Sequence, residues 1–322
     1  MWRKLQFTGF SILLVLSLVL AACGNSGNNG GNESSNGAGE NSNKGNTKTE
    51  SGDNVKLGNE KITLAYVAWQ SAIASNNVMK QVLESVGYDV TLKQTTTGPM
   101  YAAVASGSAD GMIVAWLPTT DKEYMDKYED KLVDLGISLK KAPQGLVVPK
   151  YVKIDSVEDL AKNKNNIGKK TNWTITGIDA GAGEMQIIRK KMMPAYGLDK
   201  WKLQPSSSTG MLAALGDAID NHEPIVAVLW QPHWAFIEWD LKFLKDPKDV
   251  FKKPDDVHTL VRKGFKKDYP AATKIFKQFH WEKQDMQKVM AMIHKGMEPK
   301  EAAEKWISNH KDLVSEWKQG VK

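Results

Sequence analysis

The sequence predicts an α/β protein built as two similar lobes with a cleft between them. Strand-like and helix-like segments alternate from residue 61 to residue 115, and the same alternation restarts near residue 173. Three of the apolar runs end in a tryptophan: Trp69, Trp116 and Trp230. Alternating elements of this length are typical of mostly parallel sheets covered by helices, and such sheets place ligands at the carboxyl ends of their strands.

The first half of the folded region reads as βαβαβ. Apolar residues at helical spacing between residues 72 and 86 predict a helix, which Gly87 ends. Runs of alternating or continuous apolar residues predict the strands. The expected elements are a strand at 61–67, a helix at 72–86, a strand at 88–92, a short helix at 100–105 and a strand at 111–115.

The second half repeats this order after an extended segment at 145–149. We expect the chain to cross between lobes at about residues 148–152. The pattern then predicts strands at 173–178, 201–204 and 225–229 and helices at 184–196 and 208–220. Helices follow at 271–279, 282–294 and 298–317, the last with Pro299 at its start, and we expect them to return to the first lobe.

The amino terminus has the organisation of a lipoprotein signal. A short basic start precedes an apolar run at residues 10–20, which is too short to span a bilayer comfortably, and small residues precede Cys23. We expect lipid on Cys23 and a flexible Gly/Asn/Ser tether after it. The predicted divisions are a signal peptide at 1–22, a tether at 23–56, lobe 1 at 57–148, lobe 2 at 149–260 and C-terminal helices at 261–322.

Composition argues against several classes of protein. The net charge is only +6 and both signs are interspersed, so we expect no nucleic acid partner. Cys23 is the single cysteine, which excludes a disulfide framework and a cysteine nucleophile. The histidines lack metal-ligand spacing and no nucleophile–base–orienter set can be assembled locally. We therefore expect no metal, no cofactor and no enzymatic activity.

Three indole faces meeting at strand ends suit a cation that cannot donate hydrogen bonds. A quaternary ammonium group offers only spread positive charge and methyl groups, and each ring contributes roughly 0.5–2 kcal/mol to holding it. Taken singly, each of these tryptophans is more often core packing than part of a ligand cage. His233, between Trp230 and Trp234, either lines the cleft or is a hydrogen-bonded structural residue.

The glycine-rich turn after the strand at 173–178 is a second candidate feature. The run Gly177–Glu184 reads as strand, tight turn and helix start, which exposes backbone N–H groups suited to a carboxylate. No Gly-Lys-Ser/Thr follows, so the turn is not a nucleotide phosphate loop.

Several segments together resemble the glycine betaine-binding lipoproteins of ABC osmolyte importers. They are ITLAYVAWQSAIAS, ADGMIVAWLP, GLVVPKYV, ITGIDAGAGEMQ, LWQPHW and HTLVRKGF. The resemblance implies a type II periplasmic-binding-protein fold and a cage of Trp69, Trp116 and Trp230 around the trimethylammonium group. It also implies that the N–H groups of Gly177 and Ile178 hold the ligand carboxylate, and that a membrane permease is the partner.

One position departs from the family's pattern. The Trp-Leu-Pro segment is expected to continue to a histidine that helps hold the carboxylate, and Asp121 stands there instead. An ionised carboxylate about 4 Å from that of the ligand would be repelled by roughly 4 kcal/mol at an effective dielectric near 20. Asp121 therefore either caps the following helix and turns away from the ligand, or faces a ligand whose far end is not a carboxylate.

The function expected from these observations is an extracytoplasmic, lipid-anchored, monomeric receptor for glycine betaine or a related quaternary ammonium solute. The first alternative is a choline or carnitine receptor of the same fold. Alternatives of other classes are an extracytoplasmic enzyme acting on betaines and a sensory or adhesive lipoprotein without a transport partner.

Overall fold

The computed structural model describes residues 55–321. The expected signal peptide at 1–22, Cys23 and all but the last two residues of the expected tether lie outside this range. Within it, ten strands alternate with helices. The strands are β1 Lys61–Val67, β2 Asp89–Thr95, β3 Gly111–Leu117, β4 Leu132–Ala142, β5 Gln144–Pro149, β6 Thr174–Thr176, β7 Lys202–Gln204, β8 Ala227–Trp230, β9 Leu241–Phe243 and β10 Asp255–Arg262.

The helices of the described range cover both sheets. They are α1 Gln70–Glu84, α2 Thr97–Ser106, α3 Lys122–Tyr128, α4 Val157–Ala161, α5 Ile167–Lys170, α6 Gly183–Ile187, α7 Met193–Tyr196, α8 Ser208–Asp220, α9 Ala235–Glu238, α10 Phe265–Asp268, α11 Pro270–Gln278, α12 Lys283–His294, α13 Pro299–Asn309 and α14 Lys311–Trp317. Short 3-10 turns occupy Glu129–Lys131 and Lys164–Asn166, and a π-helical turn at Ile188–Met192 joins α6 to α7.

Two five-stranded sheets form the centres of the two lobes. The first has the order β2-β1-β3-β10-β4 and the second β7-β6-β8-β5-β9. β1 is parallel to β2 and β3, and β6 is parallel to β7 and β8. β10 and β5 run antiparallel to both of their neighbours. The expected two-lobed α/β fold is therefore present, with mixed rather than mostly parallel sheets.

The crossings between the lobes lie at different residues from those expected. β4 belongs to the first sheet and β5 to the second, so the chain crosses at Pro143. The predicted boundary at 148/149 instead falls inside β5. The chain returns between β9 and β10, and β10 pairs in the first sheet although residues 149–260 were assigned to lobe 2.

The C-terminal helices pack on the first lobe, as the sequence predicts. α12 and α13 contact α1, and α11 contacts β4. The helix predicted at 298–317 is two helices separated at His310. Trp306 and Trp317 are buried with their ring centroids 5.8 Å apart, which agrees with the structural role expected of them. None of the helices described is long and apolar enough to cross a membrane.

Candidate functional site

Three strand ends bring Trp69, Trp116 and Trp230 to one cavity. Trp69 follows β1, Trp116 lies in β3 and Trp230 ends β8, so two indoles come from the first lobe and one from the second. We call these three side chains the tryptophan cage. The space between the lining residues amounts to about 290 Å³, part of which is open to solvent. Its lining consists of Trp69, Trp116, Thr120, Asp121, Gln144, Ile178, Ala182, Gly183, Glu184 and Trp230.

The cage is buried and joins the lobes. Each of its indoles is at most 5% exposed. The ring centroids of Trp69 and Trp230 lie 6.3 Å apart with their planes tilted by 57°. The Trp69 indole N–H donates to Asp179 Oδ2 in the second lobe at 3.2 Å. An apolar wall of aromatic faces and one interlobe hydrogen bond therefore surround the same space.

Asp121 lies at the start of α3, but its side chain does not cap that helix. Its Oδ2 accepts hydrogen bonds from the Trp116 N–H at 2.9 Å and the Tyr101 hydroxyl at 3.1 Å. Its Oδ1 has no hydrogen-bond partner among the described residues. The helix-capping interpretation of Asp121 is therefore wrong, and its carboxyl group lines the cavity.

Burial raises the pKa of Asp121 to about 7. The hydrogen bonds from the Trp116 N–H and the Tyr101 hydroxyl lower this pKa, whereas the charge of Asp255 raises it. A carboxyl group with such a pKa changes its charge close to neutral pH, so its protonation responds to the charge of whatever enters the cavity.

Glu184 is a second buried carboxyl group at the cavity and was not singled out from the sequence. It occupies the first turn of α6, and its Oε1 has no hydrogen-bond partner among residues 55–321. Burial raises the pKa of Glu184 well above its usual value, opposed by a hydrogen bond from the Gly145 backbone. An acidic residue in the first turn of a helix is common, so the sequence did not distinguish Glu184 as a residue of the cavity.

A polar network holds the cavity wall beside Asp121. Asp255 accepts the N–H groups of Thr119 and Thr120 at 2.9 and 2.8 Å. Gln144, which directly follows the Pro143 crossing, donates to the Thr120 hydroxyl and to Asp255. A residue at the crossing thus lines the cavity, a role that local sequence did not indicate.

Of the two residues of the glycine-rich turn expected to hold a ligand carboxylate, Gly177 and Ile178, only Ile178 lies at the cavity. The Gly177 N–H donates to Gln204 O at 2.8 Å, and Gly177 does not line the cavity. The role expected of Gly177 is therefore corrected. Ile178 does line the cavity, and its N–H has no acceptor within the described range.

His233 lies behind the cage rather than in the cavity. It is fully buried, its Nδ1 accepts the Ala235 N–H at 3.1 Å, and its ring meets Trp230 edge-on with centroids 5.2 Å apart. Burial, with a smaller contribution from His294, lowers the pKa of His233 to about 3, so the ring is neutral. Of the two roles considered, the structure shows the structural one.

The two lobes touch around the cavity. The Tyr124 hydroxyl donates to Gly181 O at 2.6 Å and accepts from the Gln186 amide at 3.0 Å. Lys190 Nζ lies 2.6 Å from Glu123 Oε2. These contacts join α3 of the first lobe to the turn and helix of the second, so the cavity is closed in this conformation.

Among residues 55–321, no cluster of histidine, cysteine or carboxylate side chains could hold a metal ion. The cavity also has no lysine, arginine or histidine among its described lining residues. What the arrangement can do chemically is to enclose a small cationic or methylated group against aromatic faces while presenting carboxyl oxygens at the other end.

Two α/β lobes closed around a cavity lined from both sides define a solute-binding protein of the hinged kind. The chain matches OpuAC, the substrate binding domain of the ABC-type glycine betaine transport system, over residues 60–309, and it belongs to that family. The family resemblance drawn from the sequence is thereby confirmed, as is the two-lobed fold.

Individual relatives agree with this assignment. Over 160 residues the chain is 45% identical to the glycine betaine/carnitine transport binding protein GbuC of Listeria monocytogenes; this match spans 49% of the chain and 53% of that relative. Lactococcal OpuAC, solved in a closed conformation with glycine betaine, is 42% identical with a TM-score of 0.76, covering 81% of this chain and 100% of that one.

Two further solved structures share the fold. ProX of Borrelia burgdorferi, a glycine/betaine/L-proline-binding protein, is 37% identical with a TM-score of 0.75 and covers 80% of this chain and 96% of that one. A choline-binding protein solved with choline is 23% identical with a TM-score of 0.76, over 81% of this chain and 92% of that one.

Proposed function

We propose that this chain is the solute receptor of an ABC importer and captures glycine betaine or a related quaternary ammonium solute in the tryptophan cage. One observation carries the proposal: indoles from both lobes line a single cavity. A trimethylammonium group has no N–H to satisfy, so aromatic faces hold it without the desolvation that a carboxylate partner would require.

The energies are adequate for a transport receptor. Three rings at roughly 0.5–2 kcal/mol each supply a few kcal/mol, and micromolar binding needs about 8 kcal/mol. The remainder must come from apolar contact and from polar groups at the other end of the cavity, such as the Ile178 N–H. The ligands named for lactococcal OpuAC and GbuC support a solute of this class.

Capture requires the lobes to move apart and together. Pro143 and the segment between β9 and β10 are the two crossings about which the lobes rotate. The solute enters the open cleft, meets the indoles of one lobe and is enclosed when the other lobe arrives. The Tyr124–Gly181 and Lys190–Glu123 contacts then hold the closed form.

The setting of this receptor follows from its family and its amino terminus. A substrate-binding protein of an importer works outside the cytoplasm, next to a membrane permease. The lipoprotein-type signal before Cys23 supports a lipid anchor, and the Gly/Asn/Ser run after it would let the receptor reach the permease. We propose a monomer, with transport and not catalysis as its activity.

Titration of the purified protein with glycine betaine tests the proposal. Binding should change the intrinsic tryptophan fluorescence and saturate in the micromolar range, and the solute should be recovered unchanged by mass spectrometry. Glycine, which lacks the methyl groups, is the control and should not compete. Failure of every quaternary ammonium compound to bind would overturn the proposal, and turnover of a bound one would favour the enzyme alternative.

A second candidate keeps the class and changes the solute. Choline is favoured by the presence of Asp121 in the cavity, because it carries a hydroxyl group that can donate to a carboxylate. Carnitine carries such a hydroxyl group too, but it ends in a carboxylate as glycine betaine does. Including both in the titration ranks them against glycine betaine.

A further inference from the structure

The lining of the cavity contains two buried carboxyl groups beside the indoles. Asp121 and Glu184 come from different lobes and are 1% and 3% exposed. Each has one carboxyl oxygen without a hydrogen-bond partner among the described residues, and both side chains line the cavity. Buried polar atoms are normally paired, so two unpaired oxygens at one site make it suited to a group that donates hydrogen bonds.

The orientation of the Asp121 carboxyl group is fixed by the protein. Its Oδ2 accepts from the Trp116 N–H and the Tyr101 hydroxyl, so the group cannot turn away without breaking those bonds. Its free Oδ1 therefore stays in the cavity wall, where Glu184 adds a second buried carboxyl oxygen without a partner among the described residues.

From these two carboxyl groups we infer that the site selects quaternary ammonium alcohols, whose far end donates a hydrogen bond, over betaines that end in a carboxylate. The inference rests on the proposed function and narrows its solute. A hydroxyl group can donate to Asp121 or Glu184 and accept from the Ile178 N–H at the same time. A carboxylate can only accept, so it finds a donor only where Asp121 or Glu184 keeps its proton, and an ionised Asp121 would set oxygen against oxygen.

The charges at the site agree with this selection. No basic side chain lines the cavity within the described range, so nothing there offsets the negative end of a zwitterion. The groups around Asp121 are Tyr101, Tyr124 and Asp255, none of which is a cation. A solute with a net positive charge favours the ionised form of Asp121, whereas a carboxylate requires the group to keep its proton.

Three probes of one size class separate the contributions. Tetramethylammonium reports the cage alone, choline adds a hydroxyl group and glycine betaine adds a carboxylate. Isothermal titration at pH 7.5 should show choline binding about tenfold or more tightly than glycine betaine, with tetramethylammonium weaker than choline. Asp121→Asn removes a negative charge and supplies an amide that can donate, so it should weaken choline and strengthen glycine betaine. Glu184→Gln replaces a carboxyl group whose raised pKa favours its neutral form, so it should change both affinities less.

Matched controls are available on the surface of the same lobe as Asp121. Asp130 and Glu129 are exposed in the turn after α3, so Asp130→Asn and Glu129→Gln should leave both affinities unchanged. Binding of tetramethylammonium to the cavity variants, even if weakened by the loss of a negative charge, shows that they are folded and that their cage is intact.

The outcomes distinguish the inference from the function on which it rests. Tighter binding of glycine betaine than of choline in the unmodified protein overturns the selection but leaves a quaternary ammonium receptor. Equal changes in the affinities for choline and glycine betaine on Asp121→Asn also overturn it, since the Asp121 carboxyl group would then not distinguish a hydroxyl group from a carboxylate. Loss of all binding, tetramethylammonium included, in the unmodified protein overturns the proposed function itself.

Discussion

Each indole of the tryptophan cage is held in place by the protein in a different way. Trp69 donates to Asp179, Trp116 lies in a strand whose residues are all buried, and Trp230 rests against the edge of the His233 ring. Since these supports are independent, loss of one ring leaves the other two positioned. The contributions of the rings to binding should therefore be measurable one at a time.

Single replacements of Trp69, Trp116 or Trp230 by alanine should each weaken binding of a quaternary ammonium solute. The expected loss is about 0.5–2 kcal/mol for the π face, with more from lost apolar contact. Isothermal titration gives the affinities, and any double replacement should bring binding close to the limit of detection.

Trp173 supplies the control for these cage variants. It is half-buried against Trp201, with ring centroids 5.6 Å apart, and lies outside the cavity. Trp173→Ala should lower thermal stability without changing affinity. Wild-type affinity in all three cage variants would mean that the solute binds elsewhere.

Asp121 makes stability depend on pH in a direction unusual for a carboxyl group. Its pKa is about 7 in the folded protein, against 3.8 for an aspartate in the unfolded chain. Between pH 4 and 7 the folded protein holds a proton that the unfolded chain has released. The contribution of Asp121 to the free energy of unfolding is therefore fully present below pH 4 and is lost as pH rises towards 7.

Denaturant unfolding of the wild type and of Asp121→Asn at several pH values between 4.5 and 7.5 measures this effect. The difference in free energy of unfolding should move against the wild type as pH rises, by up to about 1.4 kcal/mol per pH unit. His233 acts oppositely, since its pKa falls from 6.5 to about 3 on folding, but it is common to both proteins and cancels. A difference that is constant with pH would contradict the assignment.

The residues of the site were predictable from sequence to the extent that position on a strand determines them. A tryptophan at the end of a buried strand lies near the edge of the sheet, and this position predicted that Trp69, Trp116 and Trp230 would lie close together. Glu184 and Gln144 could not be found in this way. Their role depends on the meeting of two lobes, and nothing local distinguishes them from a helix-start acid and a strand residue.

At the scale of elements, the two lobes approach each other closely at the start of α6. A Cβ atom on Gly183 would lie 2.3 Å from Thr120 O and 2.7 Å from Asp121 Oδ1, both in the first lobe. Real carbon atoms do not approach so closely, and a backbone carbonyl cannot move aside cheaply. Glycine at this position is therefore a condition for closing the cavity.

Gly183→Ala should prevent full closure and weaken solute binding by about tenfold or more, with little loss of thermal stability in the absence of solute. Gly181→Ala is a matched control in the same turn, because its Cβ would lie 3.6 Å from the Tyr124 hydroxyl, an ordinary contact. Affinity and thermal unfolding should be measured for both. Equal affinities for the two variants would show that closure tolerates the extra methyl group.

β4 shows why one element was missing from the sequence prediction. The pairing of β4 with β10 shifts register between three pairs of residues, so the burial of successive β4 residues does not alternate. Alternation is the signal by which a half-buried strand is recognised. Without it the strand was overlooked, and the lobe crossing that directly follows β4 was placed several residues too late.

For the whole molecule, Tyr124 makes hydrogen bonds that stabilise the closed arrangement of the lobes. Its hydroxyl bonds to Gly181 and Gln186 exist only when the lobes meet, whereas its stacking on Tyr101, with centroids 5.0 Å apart, lies within the first lobe. The residue thus adds to the stability of the closed form without being needed for the fold of either lobe.

Tyr124→Phe should speed dissociation of the solute about fivefold, since one net hydrogen bond is worth about 1 kcal/mol, and should leave the association rate nearly unchanged. Stopped-flow fluorescence measures both rates. Tyr128→Phe, at the other end of α3, is the control and should behave as the wild type. A change confined to the association rate would mean that Tyr124 acts before the lobes meet.

The contacts between the two lobes around the cavity also affect the rate at which a bound solute is released. The Trp69–Asp179 and Tyr124–Gly181 bonds join the two lobes beside the cavity and must break when the lobes separate. If release requires that separation, its rate sets the upper limit on delivery, whatever the affinity. A permease that binds the two lobes and draws them apart would raise that limit and so decide when the cargo leaves.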